Sequence, residues 1–284
     1  MGGFIRRFVQ RLLQKPAAHA FADDASADNL LTDDSEAYTV FEGTALGLRE
    51  LTVESPDDVP EDLGSRPPDV FCIRLAQSQH SRKRAGSLVR RRYAFRGYRV
   101  KNVQVDPNLL TFIAYDGGHL VGTVGVRFDS AKGLVADQLY RAELDQLRQN
   151  GARVCEFTRL AVDVRIGSKP VLAALFHTAY LLAYRLRKYD AAVIEVNPRH
   201  VAFYRRALAF EPLGPERLSP RVNAPAVLLT VPFTRIEAEL AKHVVPATVE
   251  KPTHSLFAYG FSPLEEQGVL GRLQAFPFPG ARSA

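Results

Sequence analysis

The chain alternates two hydrophobic patterns between residues 109 and 233, and this alternation constrains its fold more than any other feature. Short runs of β-branched and aromatic residues, typical of strands, are separated by longer runs in which apolar residues recur at helical spacing. The strand-like runs cover residues 109–128, 153–162, 191–196 and 224–233. The helix-like runs cover residues 137–151, 169–190 and 199–208. This order predicts a mixed α/β sheet flanked by helices.

A hairpin and a basic helix are predicted near the start of this pattern. Asp116, Gly117 and Gly118 separate two β-rich stretches, and glycine readily takes the positive φ that a tight turn needs. The two stretches are therefore expected to pair antiparallel. The preceding segment, residues 80–98, reads as a helix rich in arginine and lysine that ends at Gly97.

Charge divides the chain into four segments. Residues 1–16 carry four basic side chains and no acidic one, whereas residues 17–64 carry thirteen acids and one base. The acidic stretch has few aromatic residues and cannot bury enough apolar surface to offset the entropy of ordering, so it is predicted to be mostly disordered. We expect a basic amphipathic segment (1–16), a disordered acidic linker (17–65), a catalytic domain (70–235) and a C-terminal extension (236–284).

The N-terminal stretch MGGFIRRFVQRLLQK is typical of an interfacial helix, because apolar and basic residues alternate near helical spacing. Residues 4–15 are expected to contact an anionic membrane surface from the cytoplasmic side, although a frayed, functionless terminus is the alternative. No apolar run approaches the ~20 residues of a membrane span. The two cysteines, Cys72 and Cys155, indicate neither a disulfide framework nor a zinc site, so we expect a cytoplasmic protein without a bound metal.

The basic body of the chain restricts the partners. Its positive charge suits nucleic acid, a lipid surface or an acidic protein. No helix-turn-helix, zinc-finger or aromatic RNA-binding motif accompanies the charge, so nucleic acid is not expected as a partner.

Five stretches resemble the long-chain N-acyl amino acid synthases: RRRYAFRGY, GTVGVRFDSAKGL, EFTRLAVD, VNPRHVAFYRRALAFEPLG and VNAPAVLLTV. That family belongs to the GNAT acyltransferase superfamily and is related to the acyl-homoserine lactone synthases. The resemblance covers residues 86–233, roughly half of the chain. It implies a GNAT-like central sheet and transfer of a fatty acyl group from an acyl carrier protein to the amine of an amino acid.

Glu156 is the first candidate for the catalytic base. Aminolysis of a thioester needs a neutral amine, donors for the oxyanion and a proton for the departing thiolate. A carboxylate inside a central strand is costly unless it is used or paired. Strand alternation places Thr158, a candidate substrate contact, on the face of Glu156 unless a bulge intervenes. Arg159 is a candidate to bind the carboxylate of the amino acid, but an ion pair between Glu156 and Arg159 is the structural alternative.

The remaining site residues follow from the resemblance. In GNAT enzymes two central strands splay apart and hold the pantetheine arm, and residues 153–162 and 192–196 match them. Asn197 and Arg199 lie at the mouth of that gap, as expected substrate contacts. Tyr204 is the candidate acid for the thiolate, with a core aromatic as the alternative. His200, one helical turn earlier, is a weaker catalytic candidate that would otherwise serve as a cap or a substrate contact.

The donor is expected to be a carrier protein. The turn DVRIGSKPVLAAL has one glycine and a proline where acetyl-CoA enzymes have a glycine-rich pyrophosphate loop. An acyl carrier protein brings its own phosphopantetheine, so no separate cofactor is expected. Its acidic surface would suit the basic helix, unless that helix simply faces solvent or lipid. The expected docking residues are Arg82, Lys83, Arg84, Arg90, Arg91 and Arg92.

Two other functions remain open at this point: an acyl-homoserine lactone synthase-like enzyme, and a non-catalytic carrier or membrane adaptor with the same fold. The first would need a pocket for S-adenosylmethionine, which no sequence feature announces. The C-terminal extension, 236–284, contains two helix-like stretches, 235–243 and 262–276, whose position the sequence leaves open.

Overall fold

The computed structural model describes residues 38–44, 70–94, 106, 108–116, 118–163, 169–243 and 254–276. The amphipathic segment 1–16 and the turn at 164–168 lie outside these residues, as does most of the acidic linker. Among the described residues, no helix is long and apolar enough to cross a membrane.

Nine strands form the sheet in the described part of the chain. They are β1 (Tyr38–Thr44), β2 (Val70–Leu75), β3 (Leu109–Asp116), β4 (His119–Phe128), β5 (Val154–Val162), β6 (Ala191–Val196), β7 (Glu211–Pro212), β8 (Arg217–Ser219) and β9 (Ala224–Pro232). The order across the sheet is β1-β2-β3-β4-β5-β6-β9-β7, with β8 paired to β9. Neighbouring strands are antiparallel except β5 and β6, which are parallel.

The helices are α1 (Gln79–Ala94), α2 (Asp137–Gln149), α3 (Lys169–Tyr180), α4 (Pro198–Leu208), α5 (Phe233–Ala241) and α6 (Pro263–Ala275). A π-helical turn, Leu181–Leu186, continues α3, and a 3₁₀ turn, Phe257–Tyr259, precedes α6. Asn197 caps α4, and Pro198 at its first position already has the φ that a helix needs.

The helices cover the two faces of the sheet separately. Helices α1 and α2 pack on one face, here called the front face, through small clusters around Leu88 and Tyr140. Helices α3 to α6 pack on the other, the back face, and enclose the main core, which includes Cys155, Phe157 and Tyr204. The arrangement is the mixed α/β sheet flanked by helices that the sequence predicts.

One short part of the acidic segment, which is predicted to be mostly disordered, forms a strand. Strand β1 lies within 17–65 and pairs antiparallel with β2. Val40 and Phe41 are buried in the back-face core, where Phe41 contacts Phe261 with ring centroids 4.4 Å apart. This local apolar pair orders the strand within an otherwise acidic composition, and Arg272 of α6 donates to the Val40 carbonyl at 2.9 Å.

Candidate active site

The two central parallel strands separate in the middle of the sheet. Strand β5 pairs with β6 only from Val154 to Glu156, opposite residues 191–193, although β5 continues to Val162 and β6 to Val196. Past this point β6 pairs with β9 on its other side. The two strands thus stop pairing after Glu156, within residues 153–162 and 192–196, where the splayed gap is expected.

A β-bulge in β5 lies beside this gap. The register of β5 against β4 runs from Thr158 opposite Gly125 to Ala161 opposite Thr123, so Arg159 and Leu160 together oppose one residue. Arg159 has a φ of 52°, a left-handed conformation that non-glycine residues rarely adopt. Backbone strain of this kind costs energy and clusters at functional sites. A bulge also leaves backbone groups of the extra residue outside the ladder.

Glu156 is buried on the front face at the last paired position before the gap. It is 2% exposed. Its Oε2 accepts hydrogen bonds from the backbone N–H of Val135 at 2.6 Å and of Ala136 at 3.4 Å. Burial raises the pKa of Glu156 to about 7, against the opposing effect of these two amides. A carboxyl with this pKa can take up and release a proton near neutral pH.

A second carboxylate and an arginine lie close enough to influence Glu156. Glu195, on β6, is two residues beyond the partner of Glu156 and therefore shares its face. Its Oε1 pairs with Nη2 of Arg221 at 2.9 Å. Arg221 lies in the turn between β8 and β9, and its charge lowers the pKa of Glu156 by more than the charge of Glu195 raises it.

The predicted alternative, an ion pair between Glu156 and Arg159, is not formed among the described residues. Arg159 is half-buried, and burial lowers its pKa from the usual value. Its charge interacts with Asp106 and Arg127, which are paired to each other. Thr158 is half-buried beside Gly125, where a Cβ would lie 3.2 Å from its Cγ2. Arg159 therefore lies by the gap, and no carboxylate in the described part of the chain forms an ion pair with it.

Tyr204 approaches the gap from the back face. It is 7% exposed and packs edge-on against Phe176, Phe203 and Phe210, with centroid distances of 6.4, 5.3 and 6.0 Å. Burial raises its pKa well above 10, as does Tyr93, which packs beside Ala161 on the front face. Among the described residues, the Tyr204 hydroxyl has no hydrogen-bonding partner. It stays protonated at neutral pH and is available as a donor.

The residues at the start of α4 make structural contacts in this structure. The Asn197 side chain accepts from the Arg199 N–H at 3.3 Å and donates to the Pro225 carbonyl at 3.2 Å, which ties α4 to β9. His200 is half-buried, and its Nε2 accepts from Arg199 Nε at 3.2 Å. This contact fits a neutral imidazole. Arg199 itself is exposed.

A partly enclosed apolar cavity of about 20 Å³ lies on the back face, next to the aromatic residues that contact Tyr204. Phe176 and Phe210 line it and also contact Tyr204, and Phe157 of β5 forms a further wall. The opposite wall comes from the C-terminal extension, through residues such as Leu256 and Phe257. The C-terminal extension therefore forms one wall of this cavity. The sequence alone does not predict this position.

The predicted docking residues divide into two groups on α1. Arg82, Lys83, Arg90 and Arg91 are exposed, whereas Arg84 and Arg92 are half-buried. The Arg84 guanidinium lies 5.4 Å from the centroid of the Tyr115 ring, so Arg84 also helps to pack α1 onto the sheet. The exposed group is the part of this surface that another protein can reach.

Several site features are absent from the sequence-based prediction. Glu195 and Arg221 meet only because the β8–β9 hairpin folds against β6, and the two amides that hold Glu156 come from a loop about twenty residues upstream. Glu195 lies two positions after Val193, so strand alternation places it on the face of Glu156. This spacing is the one local signal that could have indicated Glu195.

The comparisons with known proteins agree with this geometry. The model of the N-acyl amino acid synthase FeeM family matches residues 84–232. The solved structure of FeeM, an N-acyl amino acid synthase from uncultured soil microbes, is 27% identical, with 59% of this chain and 94% of FeeM covered and a TM-score of 0.55. Among curated proteins, none matches this chain significantly.

Two further solved structures are more distant. The acyl-homoserine lactone synthase LasI is 14% identical, with 57% of this chain and 90% of LasI covered and a TM-score of 0.39. An aminoglycoside N(6')-acetyltransferase from Legionella pneumophila is 11% identical, with 60% and 95% covered and a TM-score of 0.41. These two similarities are too weak to support a conclusion. The family model spans more than half of the chain, and the chain therefore belongs to the FeeM family of N-acyl amino acid synthases, enzymes that transfer an acyl group to an amine.

Proposed function

We propose that this protein transfers a long-chain fatty acyl group from the phosphopantetheine arm of an acyl carrier protein to the α-amine of an amino acid. One observation carries the proposal: the gap between β5 and β6 has a buried carboxyl, Glu156, on its front face and a protonated phenol, Tyr204, on its back face. A thioester held in that gap would have a base on the side of the incoming amine and a hydrogen-bond donor on the other side.

The chemistry assigns one task to each group. Glu156 takes a proton from the ammonium of the amino acid, directly or through one water, and the neutral amine attacks the thioester carbon. The C–N bond forms while the oxyanion accepts hydrogen bonds from backbone groups freed at the Arg159 bulge. The C–S bond then breaks as Tyr204 gives its proton to the departing sulfur, and the thiol leaves. The nitrogen loses its second proton, which returns through solvent to the Tyr204 oxygen, and Glu156 releases the first proton to solvent. The amide keeps one hydrogen on its nitrogen.

The acceptor is expected to bind on the front face. Arg159 is half-buried, and its neighbour Asp106 is already paired with Arg127, so its guanidinium can bind the α-carboxylate with two hydrogen bonds. Glu195 beside Glu156 is paired with Arg221, so the ionised Glu156 carboxylate is the group that attracts an ammonium here. An amino acid with both charges fits this arrangement better than a simple amine.

The acyl chain is expected to extend to the back face, toward the cavity behind Tyr204. The walls are aromatic and aliphatic, as a fatty chain requires. A volume of about 20 Å³ holds about one water molecule, so a long chain needs the lining to move. The wall formed by Leu256, Phe257 and Gly260 belongs to the C-terminal extension, and its displacement would open the cavity.

The donor proposal depends on charge. Lys83 and Arg90 are exposed and seven residues apart, which places them on the same face of α1 two turns apart. A cationic face suits the acidic surface of a carrier protein, and such steering weakens with salt over a Debye length of about 8 Å. The contact of residues 4–15 with an anionic membrane also stays a proposal, since they lie outside the described residues.

The test is a comparison of donors and acceptors with the purified full-length protein. Long-chain acyl carrier protein and the matching acyl-CoA are each supplied with a mixture of amino acids, and amide products are identified by mass spectrometry. We expect N-acyl amino acids, a higher kcat/KM with the carrier donor, and a smaller preference at high salt. Product formed only with S-adenosylmethionine would instead indicate a lactone synthase, and turnover of no amine would indicate an adaptor.

A further inference from the structure

Arg148, near the end of α2, binds three aspartates at once. It contacts Asp129 through Nε–Oδ2 at 2.7 Å and Nη2–Oδ1 at 3.1 Å, and Asp137 through two contacts of 2.7 Å. Its Nη1 also donates to Asp145 at 2.7 Å. The side chains of Arg148, Asp129 and Asp137 are 25%, 19% and 11% exposed. Paired, two-pronged contacts of this kind fix the relative position of the groups that they join.

Asp129 and Asp137 lie at the two ends of one loop, residues 129–136, which connects β4 to α2. Asp137 Oδ2 also accepts from the Leu134 N–H at 2.6 Å. In the middle of the loop Gly133 has a φ of 69°, and its carbonyl accepts from Arg127 Nε at 3.3 Å. Arg148 therefore closes the loop by joining its ends.

The same loop supplies the hydrogen bonds to Glu156. Val135 and Ala136 directly follow Leu134, and their N–H groups donate to Oε2 of Glu156. Their position depends on the loop conformation, because no other side chain among the described residues holds these two amides.

We propose that Arg148 is a positioning residue for Glu156: by joining Asp129 to Asp137, it aims two loop amides at one carboxylate oxygen and leaves the other oxygen for the amine. This inference rests on the proposed function of Glu156 as the base. A network that only stabilised the fold would affect unfolding but not the pH at which Glu156 ionises.

Other charged groups also surround Glu156 and must stay unchanged in the test. Arg127 of β4 is its register partner, Glu195 comes from β6, and Arg221 comes from the β8–β9 turn. Helix α2 contributes Tyr140 and Asp137 on the same face. Replacing Arg148 leaves Arg127, Glu195, Arg221 and Tyr140 in place but removes two contacts of Asp137, so the test also needs a variant that keeps the Arg148 charge.

The experiment replaces Arg148 with Gln. Without the contacts of Arg148 to the two ends of the loop, the amides of Val135 and Ala136 are held less firmly. They then stabilise the ionised carboxylate of Glu156 less. The acid-side midpoint of kcat/KM should rise by about 0.5–1 pH unit. The carboxyl titration of Glu156, followed by NMR with ¹³C-labelled glutamate and assigned with Glu156→Gln, should rise equally. Arg141→Gln is the matched control, because Arg141 lies on the same helix, is 77% exposed and meets Asp145 only at 3.5 Å.

A second variant perturbs the loop without removing a charge. In Gly133→Ala the new Cβ would lie 2.6 Å from Asp137 Oδ2, and the φ of 69° is strained for alanine. Gly133→Ala should raise the pKa of Glu156, as Arg148→Gln should. If Arg148→Gln does not fold, Gly133→Ala alone tests the proposal. An unchanged or lowered pKa of Glu156 in the folded variants would overturn the proposal. If no amine is acylated at all, the proposed function fails, while the NMR titration still reports on the positioning.

Discussion

Replacing Glu156 with Gln should change both the activity and the pH dependence of stability. The substitution keeps the size of the side chain, and the amide oxygen of Gln can still accept from the Val135 N–H. What it removes is a proton-accepting group. At pH 8, kcat/KM should fall by about 10²-fold or more. The parent activity should rise as pH increases through about 7, where Glu156 ionises, and the variant should lack this rise.

The effect on stability follows from the same titration. The pKa of Glu156 is about 7 in the folded protein, against an ordinary value of 4.5. Between these values the folded state binds more protons than the unfolded state, so the free energy of unfolding falls as pH rises. Over the whole window the loss is on the order of 3 kcal/mol. The Gln variant has no such loss, and its stability relative to the parent should increase by this amount between pH 4.5 and pH 8.

Urea unfolding of both proteins at several pH values measures this difference, since the other titrating groups cancel in the comparison. Glu216→Gln is the control, because Glu216 is exposed and lies in the loop between β7 and β8. Stability curves that stay parallel from pH 4.5 to pH 8 would refute the burial argument. Turnover of Glu156→Gln within a few-fold of the parent would remove Glu156 from the mechanism.

Three further outcomes are expected. Tyr204→Phe should lower kcat by about 10²-fold with little change in KM, because the lost hydroxyl acts on the leaving sulfur; steady-state kinetics checks this. Arg159→Lys should raise KM for the amino acid about 10-fold, because lysine lacks the planar guanidinium that makes two hydrogen bonds to the carboxylate. KM for the donor should stay unchanged. Reversing Lys83 and Arg90 to Glu should raise KM for the carrier donor but not for acyl-CoA.

Each of these has a contradicting result. An unchanged kcat for Tyr204→Phe would make Tyr204 a core aromatic only. Equal effects of Arg159→Lys on both substrates would point to a distorted bulge rather than a lost contact. For the docking surface, the matched control reverses Arg235 and Lys242, which are also exposed and seven residues apart but lie on the back-face side. Equal damage from both double variants would exclude a specific docking role for α1.

The central strands could be predicted from the sequence because their burial makes them locally distinct. Residues 191–196 form a strand with those bounds, and α4 begins at Pro198, directly after the capping Asn197. Such signals lie within a few residues of the structure that they specify. The gap between β5 and β6 followed from the family resemblance rather than from these patterns.

The elements that the sequence patterns do not predict depend on residues that are distant in the sequence. Strands β7 and β8 have two and three residues, too few for a periodic pattern, and they form only against β9. The phase of β5 past Thr158 depends on the bulge opposite β4, which no local pattern in EFTRLAVD indicates. The amides that hold Glu156 belong to a loop set by Arg148, whose partners are up to nineteen residues away.

The central claim is that the protein joins a fatty acyl group to the amine of an amino acid. Mass spectrometry of lipids from cells that express the protein, compared with cells that express Glu156→Gln, tests this directly. The account predicts N-acyl amino acids that accumulate with the parent protein and are at least about 10²-fold less abundant with the variant. Equal amounts in both cultures, or a lipid profile without any such amide, would contradict it.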